Sequence, residues 1–405
     1  MARIDAVDMY YFRLPDVQDI GDGGQDMVLV RLESDGHVGW GECEASPLPT
    51  LAALIAPLSH SACHPVIHSV RNAVLDGPDD IRALSAAVRA NSFDLLQADH
   101  VLSGIEIAAW DLLGRRHECP VHELMGQTQS VGKIPYASVL FGDTPRETHE
   151  RAHAIRAAGY RAAKFGWGTF GMGSVSDDEE QLEAARSGLG EAIDLMVDAG
   201  TVFGENVDEV LLRMPALKSH EVVWLEEPLT TWATTAYARL SREARVPLAA
   251  GEGLHHPLQA IELIRAGGIS FVQVDTGRIG GINDSRRAQQ AAQAQGVQFV
   301  NHTFTTHLAL SASLQPYADD TSSRYCEYPF DASELARAAS LDHIKLDENG
   351  LISAPDAPGL GITPDLDALA PYLVDVSITV NDDVLYTTPD AAGLTEMGRA
   401  AGSHA

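Results

Sequence analysis

From about residue 130 onward, short apolar runs alternate with longer segments of helical periodicity. The runs are Ile134–Leu140, Arg161–Gly166, Ile193–Asp198, Glu221–Glu226, Pro247–Glu252, Ser270–Asp275, Val297–His302 and Ser323–Tyr328. Each start follows the last by one strand–helix unit. Eight such units fit a closed parallel barrel with helices outside, an α/β architecture. The repetition is architectural, since no stretch of sequence recurs.

The chain before the barrel reads differently. Met27–Glu33 alternates like a strand, Ser34-Asp35-Gly36 supplies a turn, and His37–Glu42 returns. Helices are predicted over Asp79–Ala90 and Leu102–Arg116. The second places Ile105, Ala108, Ala109, Leu112 and Leu113 on one face. Ser46–Pro65 carries four prolines and reads as a loop with a short helix. After the barrel, Leu351–Pro371 is rich in Gly and Pro and is expected to return to the N-terminal unit and complete its sheet. The expected divisions are an α+β unit over 1–125, a barrel over 126–345, a returning segment over 346–380, and a weakly patterned tail over 381–405, read as without fixed structure.

Composition narrows the class. The 405 residues are 45% apolar, as in ordinary globular chains, and no run is long enough to span a membrane. The N-terminus lacks the basic and apolar regions of a secretory signal. Cys43, Cys63, Cys119 and Cys326 form no CxxC pair and read as reduced thiols in a cytoplasmic protein. Fifty-seven acidic side chains face 28 basic ones, a formal charge of −29, which disfavours nucleic acid and anionic membranes as partners.

The charged residues fall at the ends of the apolar runs. Asp198, Glu226 and Glu252 close the third, fourth and fifth; Asp275 and His302 close the sixth and seventh; Glu327 lies near the end of the eighth. Parallel strands bring these ends to one mouth, where barrel active sites lie. Each carboxylate alone reads as a helix cap. Three on neighbouring strands would repel one another in low dielectric, and a hard divalent cation resolves that repulsion; oxygen ligands with room for water and substrate suit Mg2+. Asp275 beside His302 resembles a general acid/base dyad, across the mouth from Lys164. Histidines 60, 64 and 68 read as loop residues, and His255-His256 as a helix start. Gly280-Gly281 reads as a close-packing pair, because the patterns that cradle phosphate are absent.

These residues resemble the enolase superfamily, specifically its mandelate racemase subgroup, over about residues 1–380. The resemblance is carried by Gly159-Tyr160-Arg161-Ala162-Ala163-Lys164, Val197-Asp198-Ala199, Trp224-Leu225-Glu226-Glu227-Pro228, Gly251-Glu252, Asp275 with Gly280-Gly281, His302 and Glu327. Trp40-Gly41-Glu42 and Ala108-Ala109-Trp110-Asp111-Leu112 look like the family's capping domain. The resemblance implies a modified (β/α)7β barrel under an N-terminal α+β capping domain, with Mg2+ on Asp198, Glu226 and Glu252. It implies His302–Asp275 as the catalytic dyad, Lys164 as a substrate-binding or acid/base group, and Glu327 as a donor, when protonated, to the substrate. Loops Val17–Gln25 and Ser46–Pro65 would close over a small carboxylate substrate, and a homo-oligomer is expected.

Two positions depart from the family pattern. Lys164-Phe165-Gly166 has glycine where many members have a second lysine. Asp198-Ala199-Gly200 has glycine where many have asparagine. A racemase needs an acid/base group on each face of the α-carbon; a dehydratase can use one. The expected function is therefore Mg2+-dependent dehydration of an aldonate or aldarate to a 2-keto-3-deoxy acid. A racemase or epimerase using Lys164 and His302 on opposite faces is the alternative within enzymes, and a barrel retained only for binding is the alternative outside them.

Overall fold

The computed structural model describes residues 1–21, 23–44 and 46–389. Three antiparallel strands, β1 (Ala6–Arg13), β2 (Asp26–Ser34) and β3 (His37–Cys43), form a sheet in sequence order. β1 was not legible in the sequence: it is buried over most of its length, so polar alternation is missing. Helix Pro78–Asn91 and helix Ala98–Arg116 cover this unit. The second begins earlier than predicted and is buried all round, not on one face. One side lies so close to β3 that a Cβ on Gly41 would stand 2.1 Å from the Gly104 carbonyl oxygen. Another side meets the barrel. Glu106, wholly buried, accepts from the backbone N–H of Ile282 (2.6 Å), that of Asn283 (3.0 Å) and Trp110 Nε1 (2.9 Å). It thereby caps the barrel helix Ile282–Gln295 from the other unit. Gly281 permits this, since a Cβ there would meet Glu106 Oε2; the glycine pair is a packing device, as read from the sequence. We expect Glu106→Ala to orphan these donors and destabilise the fold by about 1–3 kcal/mol in denaturant titration; an unchanged midpoint would mean the cap is dispensable.

The barrel strands are β4 (Ile134–Leu140), β5 (Ala162–Gly166), β6 (Asp194–Asp198), β7 (Val222–Glu226), β8 (Leu248–Ala250), β9 (Phe271–Asp275), β10 (Gln298–His302) and β11 (Tyr325–Pro329). They pair in parallel in the order β10-β9-β8-β7-β6-β5-β4-β11. Side chains help close the β10–β11 seam: Glu327 N–H donates to Asn301 Oδ1 and Phe299 N–H to Ser323 Oγ, both at 3.0 Å. Among the described residues, one helix of eight to fifteen residues connects each successive pair of strands.

The barrel interior is plugged by one residue from each strand: Tyr136, Ala162, Met196, Trp224, Ala249, Phe271, Val300 and Tyr325. Trp224 lies at its centre, with ring centroids 5.5 Å from Tyr136, 4.7 Å from Phe271 and 5.5 Å from Tyr325. Burying each large side chain contributes about 1.5–3 kcal/mol and keeps water from the floor of the mouth.

The returning segment joins both units. Gly359 and Leu360 pair with Val121, Cys119 and Asp111, while Ser311 Oγ donates to the Leu360 carbonyl. It does not add a full strand to the N-terminal sheet; contact with β1 is a single bridge, Phe12 to Leu373. The reading of 381–405 as a loose tail is corrected over its first part. β12 (Ser377–Val380) and β13 (Asp383–Thr387) form a hairpin, anchored by Tyr386 Oη donating to the Met9 carbonyl at 2.7 Å. Residues 390–405 lie outside the described residues.

Candidate active site

Side chains two residues apart on a strand share a face. Counting two residues on from each plug residue therefore gives the next inward layer, nearer the C-terminal mouth. That layer is Ser138, Lys164, Asp198, Glu226, Gln273, His302 and Glu327, with Gly251 on β8's side. Glu252 is not at the end of its strand, as the sequence suggested. β8 stops at Ala250, and Glu252 reaches the mouth from the following turn. Gly251 makes the turn possible: its φ is 136°, and a Cβ would lie 2.8 Å from the Gln273 carbonyl.

Asp198, Glu226 and Glu252 are buried and present oxygens all within 4.8 Å of one another. Oxygens gathered this closely would suit a single divalent cation held by all three residues. The Lys164 ammonium already stands beside this group, 2.5 Å from Glu226 Oε1, 2.9 Å from Glu327 Oε1 and 3.6 Å from Asp198 Oδ2. Burial opposes its charge, but Glu226, Glu327 and Asp198 outweigh burial and hold the lysine protonated well above its usual range. Burial, then mutual repulsion, pushes the Asp198 and Glu226 carboxyls up. Glu226 is oriented from below: Trp224 Nε1 donates to its Oε2 at 3.0 Å and Gln273 Nε2 at 2.8 Å. The donor set, all oxygen and all anionic, fits a hard divalent cation.

His302 Nδ1 lies 2.7 Å from Asp275 Oδ2, so Asp275 takes the Nδ1 hydrogen and Nε2 faces the mouth. Nε2 is 3.2 Å from Glu252 Oε2 and 3.9 Å from Glu327 Oε2. Burial disfavours the imidazolium, yet Glu252, Glu327 and Asp275 together lift His302 to about 10. Glu327 accepts from Ser138 Oγ (2.9 Å) and Thr303 N–H (2.8 Å). Burial would raise its pKa, but Lys164 and His302 pull it below the usual range. In this arrangement Glu327 is an acceptor, unlike the protonated donor expected from the resemblance.

Ser138, Lys164, Asp198, Glu252, His302 and Glu327 line a cavity of about 220 Å3, room for a metabolite-sized acid. Around the closed barrel β5 and β10 stand three strands apart, and Lys164 and His302 both project into the mouth. Gly166 leaves the β5 side without a second base, and a Cβ there would press within 3.0 Å of Asp198 Cβ. Ile20, Gly21 and Gly23 reach in from the N-terminal unit, whereas no described residue of 46–65 lines the cavity. The expected cover from Ser46–Pro65 is thus corrected. Glu44, just past β3, takes that place and pairs with Arg278 Nε. Sequence reasoning missed Ser138, Gln273, Glu44, Arg278, Trp167 and Phe304. His256 is a helix cap as read: its Nδ1 accepts from Leu258 N–H. No described helix is long and apolar enough to cross a membrane.

Fold and mouth together define a capped parallel-barrel enzyme with an acidic, metal-compatible centre beside a histidine–aspartate pair. Residues 147–368 match the family described as enolase C-terminal domain-like, and residues 21–126 match the mandelate racemase / muconate lactonizing enzyme N-terminal domain. The chain belongs to the enolase superfamily, in its mandelate racemase / muconate lactonizing enzyme group. It is similar to a D-galactarolactone cycloisomerase of Agrobacterium fabrum, 29% identical over 370 residues, covering 85% of this chain and 90% of the relative. It is 24% identical over 356 residues to an arabinonate dehydratase of Saccharolobus solfataricus, covering 86% and 90%. A crystal structure of a predicted mandelate racemase from Rhodobacter sphaeroides superposes with TM-score 0.92 at 52% identity, covering 96% of this chain and all of that one.

Proposed function

We propose that this enzyme is a magnesium-dependent lyase acting on an acid sugar, removing the α-proton and expelling the β-oxygen to give a 2-keto-3-deoxy acid. The observation that carries this reading is the one-sided acid/base chemistry: His302–Asp275 on one side, and Gly166 where a second base would stand. Asp198, Glu226 and Glu252 would hold the ion. When bound, magnesium neutralises the substrate carboxylate and favours the enediolate.

The remaining work falls to the chain itself. His302 Nε2 accepts the α-proton, while Asp275 stabilises the imidazolium through Nδ1. The Cβ–O bond then breaks with its electron pair on oxygen, and the Nε2 proton passes to that oxygen. The enol so formed tautomerises to the 2-keto acid. Lys164, held as an ammonium, offers a fixed positive charge to the substrate carboxylate and not a lone pair.

A base must be neutral to accept a proton, and His302 is lifted mainly by Glu252 and Glu327. A cation on Glu252 weakens that pull. We therefore expect the His302 pKa to be lower with Mg2+ than without it, by NMR titration of the imidazole; an equal or higher value with Mg2+ would separate the ion from the dyad.

The relatives include a cycloisomerase, whose name implies a ring substrate. The same proton transfers would open a ring if the β-oxygen belongs to it, with no water released. Incubation with Mg2+ and a panel of aldonates, aldarates and their lactones, assayed for 2-keto acid, tests the reading. Substrate recovered from D2O with deuterium and inverted configuration, and no 2-keto acid from any member, would replace lyase by racemase.

A further inference from the structure

Trp167 follows Lys164-Phe165-Gly166 and carries a positive φ of 52°, a conformation bulky residues seldom adopt. Its indole is pressed by the backbone of two glycines. A Cβ on Gly21, in the covering loop, would lie 2.9 Å from Trp167 Cδ2, and one on Gly200, beyond β6, 2.8 Å. The residue nevertheless remains 43% exposed and lines the cavity. Both glycines thus leave room for one fixed aromatic wall at the mouth.

The charges of the mouth are spoken for elsewhere. Its cations are Lys164, Arg278 and His302. Lys164 is engaged by Glu226 and Glu327, and His302 by Asp275 and Glu252. Arg278 is held by Glu44 and donates to the Glu252 carbonyl. Ile20, Val139, Leu140, Trp167 and Phe304 supply the apolar part of the wall, and the Ser138 hydroxyl is given to Glu327. One carboxylate can be met at the acidic centre, where a cation and Lys164 receive it. A second carboxylate would be desolvated against this wall without a partner, in a chain of net charge −29.

We propose that Trp167, fixed between Gly21 and Gly200, sets substrate choice: it receives the uncharged distal carbons of a monocarboxylic acid sugar and excludes the matching dicarboxylate. The inference rests on the acid-sugar reading above and names its substrate class. Sugar C–H faces pack against indole, and hydroxyls remain free to reach the opening.

The test compares pairs that differ only at the terminal carbon, galactonate with galactarate and gluconate with glucarate. Affinities for the Mg2+-loaded protein are measured by calorimetry and turnover by 2-keto acid release. The expected result is at least about tenfold tighter binding of an aldonate than of its aldarate. Trp167→Ala should raise the aldonate KM more than it lowers kcat and shrink the aldonate preference; Trp167→Phe should restore most of it. Gly200→Ala, which displaces the ring without removing it, should move KM in the same direction, and the Mg2+-dependent melting shift reports whether each variant is folded. Aldarates binding as tightly as aldonates, an aldonate KM unmoved in Trp167→Ala, or no binding by either class at 10 mM would each overturn the assignment. A preference that holds while wild-type releases no 2-keto acid would instead overturn the reaction and leave the wall standing.

Discussion

His302→Asn is expected to lower kcat for 2-keto acid formation by about 10²–10⁴-fold, the usual contribution of a positioned acid/base group. In the proposed elimination the imidazole is used twice, first as acceptor of the α-proton and then as donor to the departing oxygen. Asparagine fills similar space and can still hydrogen-bond to Asp275, but it can neither accept nor return that proton at neutral pH. The carboxylates of Asp198, Glu226 and Glu252 stay in place, so Mg2+ should still raise the melting temperature as in the wild type. Lys164 gives a sharp discriminator. In a two-base racemase, His302→Asn would keep Lys164-dependent α-proton exchange for one substrate configuration. In a one-base lyase, exchange in D2O disappears along with product. Retained exchange in one enantiomer would therefore sink the elimination mechanism, and unchanged ligand affinity with no wild-type turnover would point to a binding protein.

Glu226→Gln is expected to abolish detectable turnover, a loss of about 10³-fold or more, since an ion that stabilises the developing charge is worth several kcal/mol and each 1.36 kcal/mol is tenfold. Glu226 sits at the centre of the site's interactions. Trp224 and Gln273 hold one of its oxygens, Lys164 approaches the other, and Asp198 and Glu252 complete the triangle. At 100 times its dissociation constant, Mg2+ should stabilise the wild type by about 2.7 kcal/mol. The variant should lose most of that response in a melting experiment. Without metal its stability should stay near wild type, because two effects oppose: one buried negative charge leaves a repelling cluster, while Lys164 loses its nearest partner. A variant with a full Mg2+ response would move the ion away from Glu226. A variant much less stable than wild type without metal would show that the Lys164 pairing dominates.

Much of this site was legible because strand periodicity is local. The apolar runs from Ile134 to Tyr328 coincide with β4–β11 within a few residues at each end, and the charged residues closing them share one mouth because the strands are parallel. Ser138 and Gln273 carry a usable signal as well. Each stands two residues after an inward plug residue, Tyr136 or Phe271, and so must point the same way. Glu252 was misplaced by two residues because a turn through Gly251 continues in the direction of the strand without its hydrogen bonds. The helix Ala98–Arg116 is buried on every side, and periodicity cannot distinguish a helix covered on one face from one covered all round.

The sequence by itself determined the barrel, the three carboxylates Asp198, Glu226 and Glu252, the partnership of Asp275 with His302, and the missing second lysine at Gly166. The first three depend on spacing along single strands and on the shared direction of parallel neighbours; the last is legible only against the resemblance to the family pattern. Tertiary structure alone decided the cover of the mouth and the charge states inside it. Glu44 and Arg278 are separated by 234 positions and meet only because the N-terminal sheet docks on the barrel. Trp167 becomes a wall only where Gly21 and Gly200, from different units, leave room for its ring. Lys164 stays charged, and Glu327 an acceptor, because Coulomb interactions inside a dry barrel depend on distances of a few ångströms between strands. Such distances are set by packing, and no spacing along the chain encodes them.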